Sequence, residues 1–288
     1  MNQLKQRLTS MALIALSAIA PLTLEFKPAT AQAQDVDSIP LYVPPPERQT
    51  SGVCSTFLEP TIDGIIATPP VANGKWAILV ESVDGKVLYS HNHNVQLIPA
   101  SNVKLLTTAA ALQRLNPQTS IRSRPLRDWI LITNQRSNNS YANVLLSYIG
   151  GPNAAKQVLT QMGVSPTGFR QVDGSGLSRQ NSATPSVLIT VLREMMTSNN
   201  YDIWYSSLPV SGATGTLRNR MRNSPAQGIV RAKTGTLRGV RALSGYVENP
   251  YYGTLLFSIL ANHPSQNGTL VTAIDRIVLQ LSQLIPCE

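Results

Sequence analysis

The sequence predicts an α/β fold of the α+β type, in which one antiparallel sheet is covered by helices and a helical subdomain is inserted between its strands. Two β-rich runs, Trp76–Val83 and Lys86–Ser90, come early and flank Asp84-Gly85, a dipeptide typical of hairpin turns. About three further strand-like runs alternate within Ile229–Asn262. Because strands occur near both ends of the chain, one sheet must be assembled from both, and the helical middle becomes the inserted subdomain.

The remaining segments carry apolar residues at helical spacing. The predicted helices are Cys54–Ala67, Ser101–Leu115, Asn139–Ile149, Asn153–Met162, Pro185–Thr197 and Leu270–Leu284. We expect the first and last of them to pack together against the sheet. The late strands are expected to turn at Gly235 and at Asn249-Pro250.

The composition is that of a globular chain with enough apolar residues for a core. The chain has 288 residues, of which 42% are hydrophobic and 14% charged, and this excludes collagen-like, fully disordered and polytopic membrane proteins. Two cysteines are too few for a four-thiolate zinc site. The net charge of +9 is not concentrated in basic runs, so no nucleic-acid partner is predicted.

Residues 1–33 have the features of a secretory signal peptide. Lys5 and Arg7 precede the apolar stretch Met11–Leu24, and Ala31-Gln32-Ala33 supplies an A-x-A cleavage site. A membrane anchor is the alternative, but the stretch is short for a bilayer and Pro21 interrupts it. We therefore expect export to the periplasm or cell envelope, with no transmembrane segment in the mature protein. Residues 34–52 hold four prolines and predict a flexible leader, and 53–288 form a single domain.

Export changes what the two cysteines are expected to do. In an oxidising compartment, Cys54 and Cys287 are expected to form one disulfide that ties the ends of the domain together. Packing of the terminal helices would bring them close. Two unpaired thiols are the alternative.

Ser101 and Lys104 form an S-x-x-K pattern at the start of a predicted helix. Positions i and i+3 share one helical face, so the amine can reach the hydroxyl. A desolvated lysine has a lowered pKa and can act as a base for the serine, and the helix N-terminus offers N–H groups to an oxyanion. Alone, this pattern is common on solvated helix surfaces.

Ser137-Asn138-Asn139 precedes another predicted helix. The Ser137 hydroxyl can relay a proton, and the Asn139 amide can hold a substrate carbonyl. Capping of the helix by serine or asparagine is the alternative.

Lys233-Thr234-Gly235-Thr236 falls on a predicted strand. A cation and hydroxyls suit a substrate carboxylate, and Gly235 would let a substrate backbone approach closely. An edge strand with a solvated lysine is the alternative.

In the order SxxK, SxN, KTG, the three patterns form the motif set of serine β-lactamases and penicillin-binding proteins. The chain further resembles the D-alanyl-D-alanine carboxypeptidase/endopeptidase family, the class C low-molecular-mass penicillin-binding proteins. The resemblance covers most of residues 54–285. It is strongest in Pro99–Leu112, Val172–Asn181, Leu208–Met221 and Ala232–Val247.

The resemblance implies a serine β-lactamase/transpeptidase-like fold and a serine-type D-Ala-D-Ala carboxypeptidase, with DD-endopeptidase cleavage as the related reaction. Peptidoglycan stem peptides would be substrates and β-lactams covalent inhibitors; neither a cofactor nor a metal is implied, and we expect a monomer. The resemblance implies that Ser101 is the nucleophile, Lys104 its base and Ser137 a proton relay. Asn139 would position the substrate, and Lys233, Thr234 and Thr236 would bind its carboxylate. The backbone N–H groups of Ser101 and Thr236 would form the oxyanion hole.

One departure from the family concerns spacing. Ser101 and Ser137 are only 36 residues apart (137 minus 101), where family members usually carry a large insertion. The accessory domains that such an insertion forms are therefore expected to be missing.

Two alternative functions stay open. A serine β-lactamase on the same fold would need a positioned general base, and Glu194 is the only glutamate between the second and third motifs. A catalytically inactive, peptidoglycan-binding envelope protein is the second alternative.

The remaining candidates are interpreted as structural. Asp173–Ser178 is expected to form a loop near the site. His91 and His93 are expected on the surface and His263 in a turn, so a metal site and a Ser-His-Asp hydrolase are disfavoured.

Overall fold

A computed structural model describes residues 52–264 and 268–287. All of them belong to one compact unit, Gln49–Glu288. The predicted signal peptide, 1–33, lies outside the described residues, as does the predicted leader apart from its last residue.

Five strands form the central sheet. They are β1 Lys75–Ser82, β2 Val87–His91, β3 Val230–Leu237, β4 Val240–Asn249 and β5 Gly253–Asn262. Their order across the sheet is β2-β1-β5-β4-β3, and all neighbours are antiparallel. The early strand β1 pairs along its whole length with the late strand β5, from Lys75 opposite Asn262 to Ser82 opposite Leu255. This confirms the prediction of one sheet assembled from both parts of the chain.

The described part of the chain contains eight α-helices. They are α1 Leu58–Ile66, α2 Val103–Arg114, α3 Leu126–Gln135, α4 Asn139–Tyr148, α5 Gly151–Gln161, α6 Pro185–Met196, α7 Tyr201–Ser207 and α8 Thr269–Ser282. Six of them match predicted helices within a few residues, whereas α3 and α7 were not predicted. Helices α2 to α7 lie between β2 and β3 in the chain and form the inserted subdomain.

The sheet separates two apolar cores. Along β1, Trp76, Ile78 and Val80 face one core, and Ala77 and Leu79 face the other, as the two-residue period of a strand requires. Helices α1 and α8 cover the first face and contact each other, as predicted. Helix α6 lies against the opposite face, and α2 is surrounded by the other helices of the subdomain. Both faces of the sheet are therefore covered.

One predicted turn is wrong. Gly235 lies inside β3, where it pairs with Ala242, and the chain reverses two residues past the motif at Arg238-Gly239. Gly239 has a φ of +68°, the left-handed conformation that favours glycine. The second predicted turn, at Asn249-Pro250, joins β4 to β5 as expected.

Three pairs of two-residue strands complete the fold. Val53–Cys54 pairs in parallel with Leu284–Ile285, Ser120–Ile121 with Arg124–Pro125, and Phe169–Arg170 with Ser182–Ala183. Next to the first pair, Cys54 and Cys287 form a disulfide, with their Cα atoms 4.9 Å apart. None of the helices in the described part of the chain is long and apolar enough to cross a bilayer.

Candidate active site

The turn that carries Ser101 is pressed against the edge strand of the sheet. Residues Ala100–Asn102 form a 3-10 turn ahead of α2, and Ala100 has a φ of +48°. The buried Asn102 amide donates to the Ser244 hydroxyl of β4 over 2.8 Å. This bond fixes the turn beside the sheet and leaves Ser101 partly exposed at the edge.

Gly235 makes the close approach of β3 to that turn possible. A Cβ atom at this position would lie 2.6 Å from the Pro99 carbonyl oxygen and 3.3 Å from the Ala100 Cβ. The glycine thereby admits the backbone of the Ala100–Asn102 turn beside the buried strand β3. The predicted role of Gly235 toward a substrate backbone stays a prediction.

Lys104 is completely buried and reaches three of the site's oxygens. Its Nζ lies 2.9 Å from the Ser101 Oγ and 2.8 Å from the Asn139 Oδ1, and it also donates to the Ser175 carbonyl. Burial lowers the pKa of Lys104 to about 8, against the opposing effect of the Asp173 charge. Carbonyl oxygens only accept hydrogen bonds, so a neutral amine donates to both of them and keeps its lone pair for the Ser101 hydroxyl.

Lys233 joins the second motif to the third. Its Nζ donates to the Ser137 Oγ over 2.9 Å and to the Thr234 carbonyl over 3.0 Å. Burial holds the pKa of Lys233 well below its usual range, and the Lys104 charge lowers it further. Ser137 has a φ of +53°, an uncommon conformation for serine that places it between α3 and α4. The predicted helix cap at the second motif is also real, because the Asn138 side chain accepts from the Tyr141 N–H.

The two threonines of the third motif lie on the accessible side of β3. Thr236 is exposed, and Thr234 is partly exposed and donates from its hydroxyl to the Thr216 hydroxyl over 2.7 Å. Thr216 belongs to the 3-10 turn Gly215–Leu217. The structure thus brings the three motifs together and adds Thr216 to them.

A loop after α5 forms part of the same site. The Asp173 carboxylate accepts hydrogen bonds from the backbone N–H groups of Ser175, Gly176 and Ser178. Burial raises the pKa of Asp173, but these hydrogen bonds outweigh burial and lower it. This loop was predicted to lie near the site, and the structure places its backbone in contact with Lys104.

Glu194 is far from Ser101. It lines a cavity of about 610 Å³ together with residues at the C-terminal end of α2, including Leu112 and Arg114. Ser101 precedes the other end of this helix, and a helix of twelve residues is roughly 18 Å long. Glu194 therefore does not reach Ser101.

The histidines take no part in the site. His91 ends strand β2, and the His93 ring lies 3.1 Å from the Asn94 side chain. Among the described residues, no three His, Cys, Asp or Glu side chains gather in a group that could hold a metal ion.

Sequence reasoning missed Thr216 and the contact from Ser175. Both lie in stretches that resemble the carboxypeptidase family, Leu208–Met221 and Val172–Asn181, so their positions were marked but their roles were not. The Ser175 contact is made by a backbone carbonyl, which no side-chain pattern reveals.

Comparison with protein families gives one match. The chain matches the model of the D-Ala-D-Ala carboxypeptidase 3 (S13) family over residues 58–122 and 119–284. The two matched segments meet at the short hairpin Ser120–Pro125, between the first and second motifs. The large family insertion was expected to be missing between the same two motifs.

Two curated relatives are 40% and 39% identical to this chain over the segments that align. The chain is 40% identical over 169 residues to a penicillin-sensitive carboxypeptidase A of Dictyostelium discoideum. The aligned segment covers 52% of this chain and 32% of the relative. It is 39% identical over 163 residues to a D-alanyl-D-alanine carboxypeptidase of an Actinomadura species, covering 51% and 30%. The chain thus spans about a third of the length of these relatives.

Solved structures share the fold at low sequence identity. Penicillin binding protein 4 from Haemophilus influenzae superposes with a TM-score of 0.67 at 14% identity, over 77% of this chain and 99% of the other. A class A β-lactamase from Clostridium kluyveri superposes with a TM-score of 0.63 at 16% identity, over 77% and 97%. The predicted serine β-lactamase/transpeptidase-like fold is therefore confirmed.

Proposed function

Because the chain belongs to the D-Ala-D-Ala carboxypeptidase 3 (S13) family, we propose that it is a serine-type D-Ala-D-Ala carboxypeptidase acting on peptidoglycan stem peptides. The observation that carries the proposal is the contact of the buried Lys104 amine with the Ser101 hydroxyl, 2.9 Å long. A base with a pKa of about 8, held against a partly exposed serine, is suited to acyl transfer near neutral pH.

Substrate binding follows from the groups on β3. The terminal carboxylate of the stem peptide would lie against Lys233, Thr234 and Thr236. Lys233 is buried and has no carboxylate partner among the described residues, so an incoming carboxylate would favour its charged form. Asn139 accepts from Lys104 through its Oδ1, which leaves its Nδ2 to donate to a substrate carbonyl.

Acylation would begin when Lys104 takes the Ser101 proton and the Ser101 Oγ attacks the carbonyl carbon of the penultimate D-Ala. The backbone N–H groups of Ser101 and Thr236 would stabilise the resulting oxyanion. As the intermediate collapses, the C–N bond breaks and the terminal D-Ala nitrogen receives a proton from Ser137. The Lys233 amine, 2.9 Å from the Ser137 Oγ, would favour this transfer electrostatically. Ser137 then recovers a proton from Lys104, which returns to its neutral form.

Hydrolysis then returns the free enzyme. Water adds to the ester carbonyl, the Ser101 oxygen leaves with the proton, and the shortened peptide departs as a carboxylic acid. The same steps applied to a D-Ala amide in a peptide cross-link give DD-endopeptidase cleavage. β-Lactams would acylate Ser101 in place of the peptide, in keeping with the Dictyostelium relative, which is named penicillin-sensitive.

The β-lactamase alternative is less well supported. Fast deacylation needs a base beside the ester, and Glu194 lies at the far end of α2. Both Asp173 oxygens are occupied by hydrogen bonds from their own loop. We therefore expect the penicilloyl ester to persist. The alternative of a catalytically inactive binding protein is disfavoured by the intact contacts of Lys104.

The cell envelope is the proposed location. The basis is the signal peptide predicted at 1–33. We propose that a leader at 34–52 and a single peptidase domain at 53–288 follow it, and that the domain works as a monomer. A disulfide between Cys54 and Cys287 suits an oxidising compartment such as the periplasm.

Release of D-alanine from a peptide ending in D-Ala-D-Ala tests the proposal. The wild-type chain should release D-alanine and Ser101→Ala should not, while a peptide ending in D-Ala-L-Ala serves as the specificity control. Equal release by both proteins would contradict the assignment. Rapid turnover of benzylpenicillin without peptide cleavage would favour the β-lactamase instead.

A further inference from the structure

We propose that the loop Asp173–Ser178 is a positioning element of the acylation site, which aims the Lys104 amine at Ser101 and fixes the backbone behind the nucleophile. The inference rests on the proposed function, because it assigns the loop a part in the same acyl transfer. None of the three motifs includes this loop.

The direction of the Lys104 lone pair depends on the polar neighbours of the amine. The amine has three polar neighbours: the Ser101 Oγ, the Asn139 Oδ1 and the Ser175 carbonyl. A neutral amine has two N–H bonds and one lone pair, and the two carbonyl oxygens take up both N–H bonds. Without the Ser175 carbonyl, one N–H bond would be free to turn to Ser101, and the lone pair would point elsewhere. The carbonyl therefore selects the arrangement in which Lys104 acts as a base.

The rest of the loop and helix α2 hold the Ser175 carbonyl in place. The Asp173 carboxylate accepts from three backbone N–H groups of the loop, and its Oδ1 also accepts from the Ser175 hydroxyl over 3.1 Å. Beneath the loop, the Thr107 hydroxyl donates to the Gly174 carbonyl over 2.9 Å. Thr107 lies one helical turn after Val103 on the same helix as Lys104. Helix α2 therefore carries the amine that contacts the Ser175 carbonyl and also the hydroxyl that holds the neighbouring Gly174 carbonyl.

The loop also packs against the Ala100–Asn102 turn that carries Ser101. A Cβ atom at Gly176 would lie 1.9 Å from the Ala100 carbonyl oxygen and 3.0 Å from the Ser101 nitrogen. Gly176 also has a φ of +84°. The loop backbone thus lies directly behind the Ser101 N–H, the group proposed for the oxyanion hole, and holds Ala100 in its left-handed conformation.

The loop also contributes to the charge around Lys104. The charged groups that face Lys104 are Asp173 from the loop and Lys233 from β3, because Ser101, Asn139 and the Ser175 carbonyl are neutral. The Asp173 charge favours protonated Lys104, and the Lys233 charge opposes it. Removal of the Asp173 charge should therefore lower the pKa of Lys104.

The test measures the second-order rate of acylation by benzylpenicillin from pH 6 to 10 in the full chain. Gly176→Ala should acylate about 100-fold more slowly, because a displacement of roughly 1 Å at a reacting group has an effect of this size. The matched control is Gly163→Ala, which has a φ of +85° and no atom within 4 Å of the added Cβ. It imposes the same backbone conformation on alanine away from the loop and should acylate like the wild type.

Asp173→Asn supplies the readout that a merely structural role would not move. Its acylation rate should fall about tenfold, and the acid limb of its pH profile should move to lower pH. The proposal is overturned if Gly176→Ala acylates as fast as Gly163→Ala, or if the acid limb of Asp173→Asn coincides with that of the wild type. Thermal melting identifies a misfolded variant, and if Gly176→Ala does not fold, Asp173→Asn decides alone.

Failure of the proposed function gives a different result. In that case the wild-type chain itself forms no adduct with benzylpenicillin, whereas failure of the loop proposal leaves the wild type active and the variants equally fast.

Discussion

At the scale of single residues, the site depends on two buried lysines, neither of which forms an ion pair with a carboxylate among the described residues. The nearest partners of Lys104 and Lys233 are hydroxyls and carbonyls. Burial of an ammonium group without a counter-charge is costly, so both amines lose protons more readily than a lysine in water. The same feature makes Lys104 a usable base and prepares Lys233 for an anionic ligand.

The pH dependence of acylation follows from the pKa of Lys104. Only the neutral amine can take the Ser101 proton, and burial sets the pKa of Lys104 at about 8. The neutral fraction rises with pH through this value, so the acylation rate of the wild type should rise between pH 6 and 9 and then level off. Stopped-flow acylation with a chromogenic cephalosporin measures it. A rate that is constant from pH 6 to 9 would contradict the role of Lys104 as the base.

The pairing of side chains in the site was largely predictable, and the backbone contacts were not. The i, i+3 spacing of Ser101 and Lys104 predicted their contact, and the family resemblance brought in Ser137, Asn139 and Lys233. The Ser175 carbonyl escaped prediction because every residue carries a carbonyl. Its direction depends on the loop that Asp173 organises.

At the scale of secondary-structure elements, the critical contact joins the edge strand β3 to the Ala100–Asn102 turn. The strand supplies Lys233 and Thr234, and the turn supplies Ser101, so their separation decides whether one substrate can reach all of them. Gly235 permits that short separation, because a Cβ atom at this position would overlap the Pro99 carbonyl oxygen.

Gly235→Ala should therefore weaken acylation without unfolding the chain. The added Cβ would lie 2.6 Å from the Pro99 oxygen and 2.9 Å from the Ala242 Cβ, so strand and turn must move apart. We expect roughly a 100-fold slower acylation by benzylpenicillin. Gly64→Ala is the control: it lies in α1 with no atom within 4 Å of the new Cβ, and it should keep full activity and gain about 1 kcal/mol of stability. Equal acylation by the two variants would rule out this role of Gly235.

The spacing of apolar residues identified the long helices and strands, and it failed where an element was short or began at a proline. Helix α7 has seven residues, too few for a clear apolar period. Helix α3 buries Leu126, Trp129 and Ile130 at helical spacing, but it begins directly after Pro125 and no helix was predicted there. The turn expected at Gly235 was wrong because a glycine inside a strand can also mark close approach of another backbone, and here it does.

At the scale of the whole molecule, the sheet and the disulfide join the two ends of the domain. Strand β1 pairs with β5, which lies far from it in the sequence, and the segments Val53–Cys54 and Leu284–Ile285 pair beside the disulfide. Asn249 reinforces this corner by donating to the Leu281 and Leu284 carbonyls, both over 2.9 Å. The active site lies on β3, on the opposite edge of the sheet from β2.

Loss of the disulfide should lower stability and leave the chemistry intact. Cys54 and Cys287 are 233 residues apart in sequence, so the bond strongly restricts the unfolded chain. The double variant Cys54→Ser/Cys287→Ser should lose about 2 to 5 kcal/mol of unfolding free energy in urea titrations. Its acylation rate at 25 °C should equal that of the wild type, since neither cysteine contacts a motif residue. A slower rate in the folded double variant would contradict this separation of stability from catalysis.

The central claim is that Ser101 is a live nucleophile served by Lys104, and intact-mass spectrometry tests it most directly. The purified chain is incubated with benzylpenicillin, followed over time, and digested to locate the adduct, with Ser101→Ala as the control. The account predicts one penicilloyl group per chain, on Ser101, that persists for many minutes and is absent from the variant. No adduct on the wild type, or an adduct that Ser101→Ala retains, would contradict it.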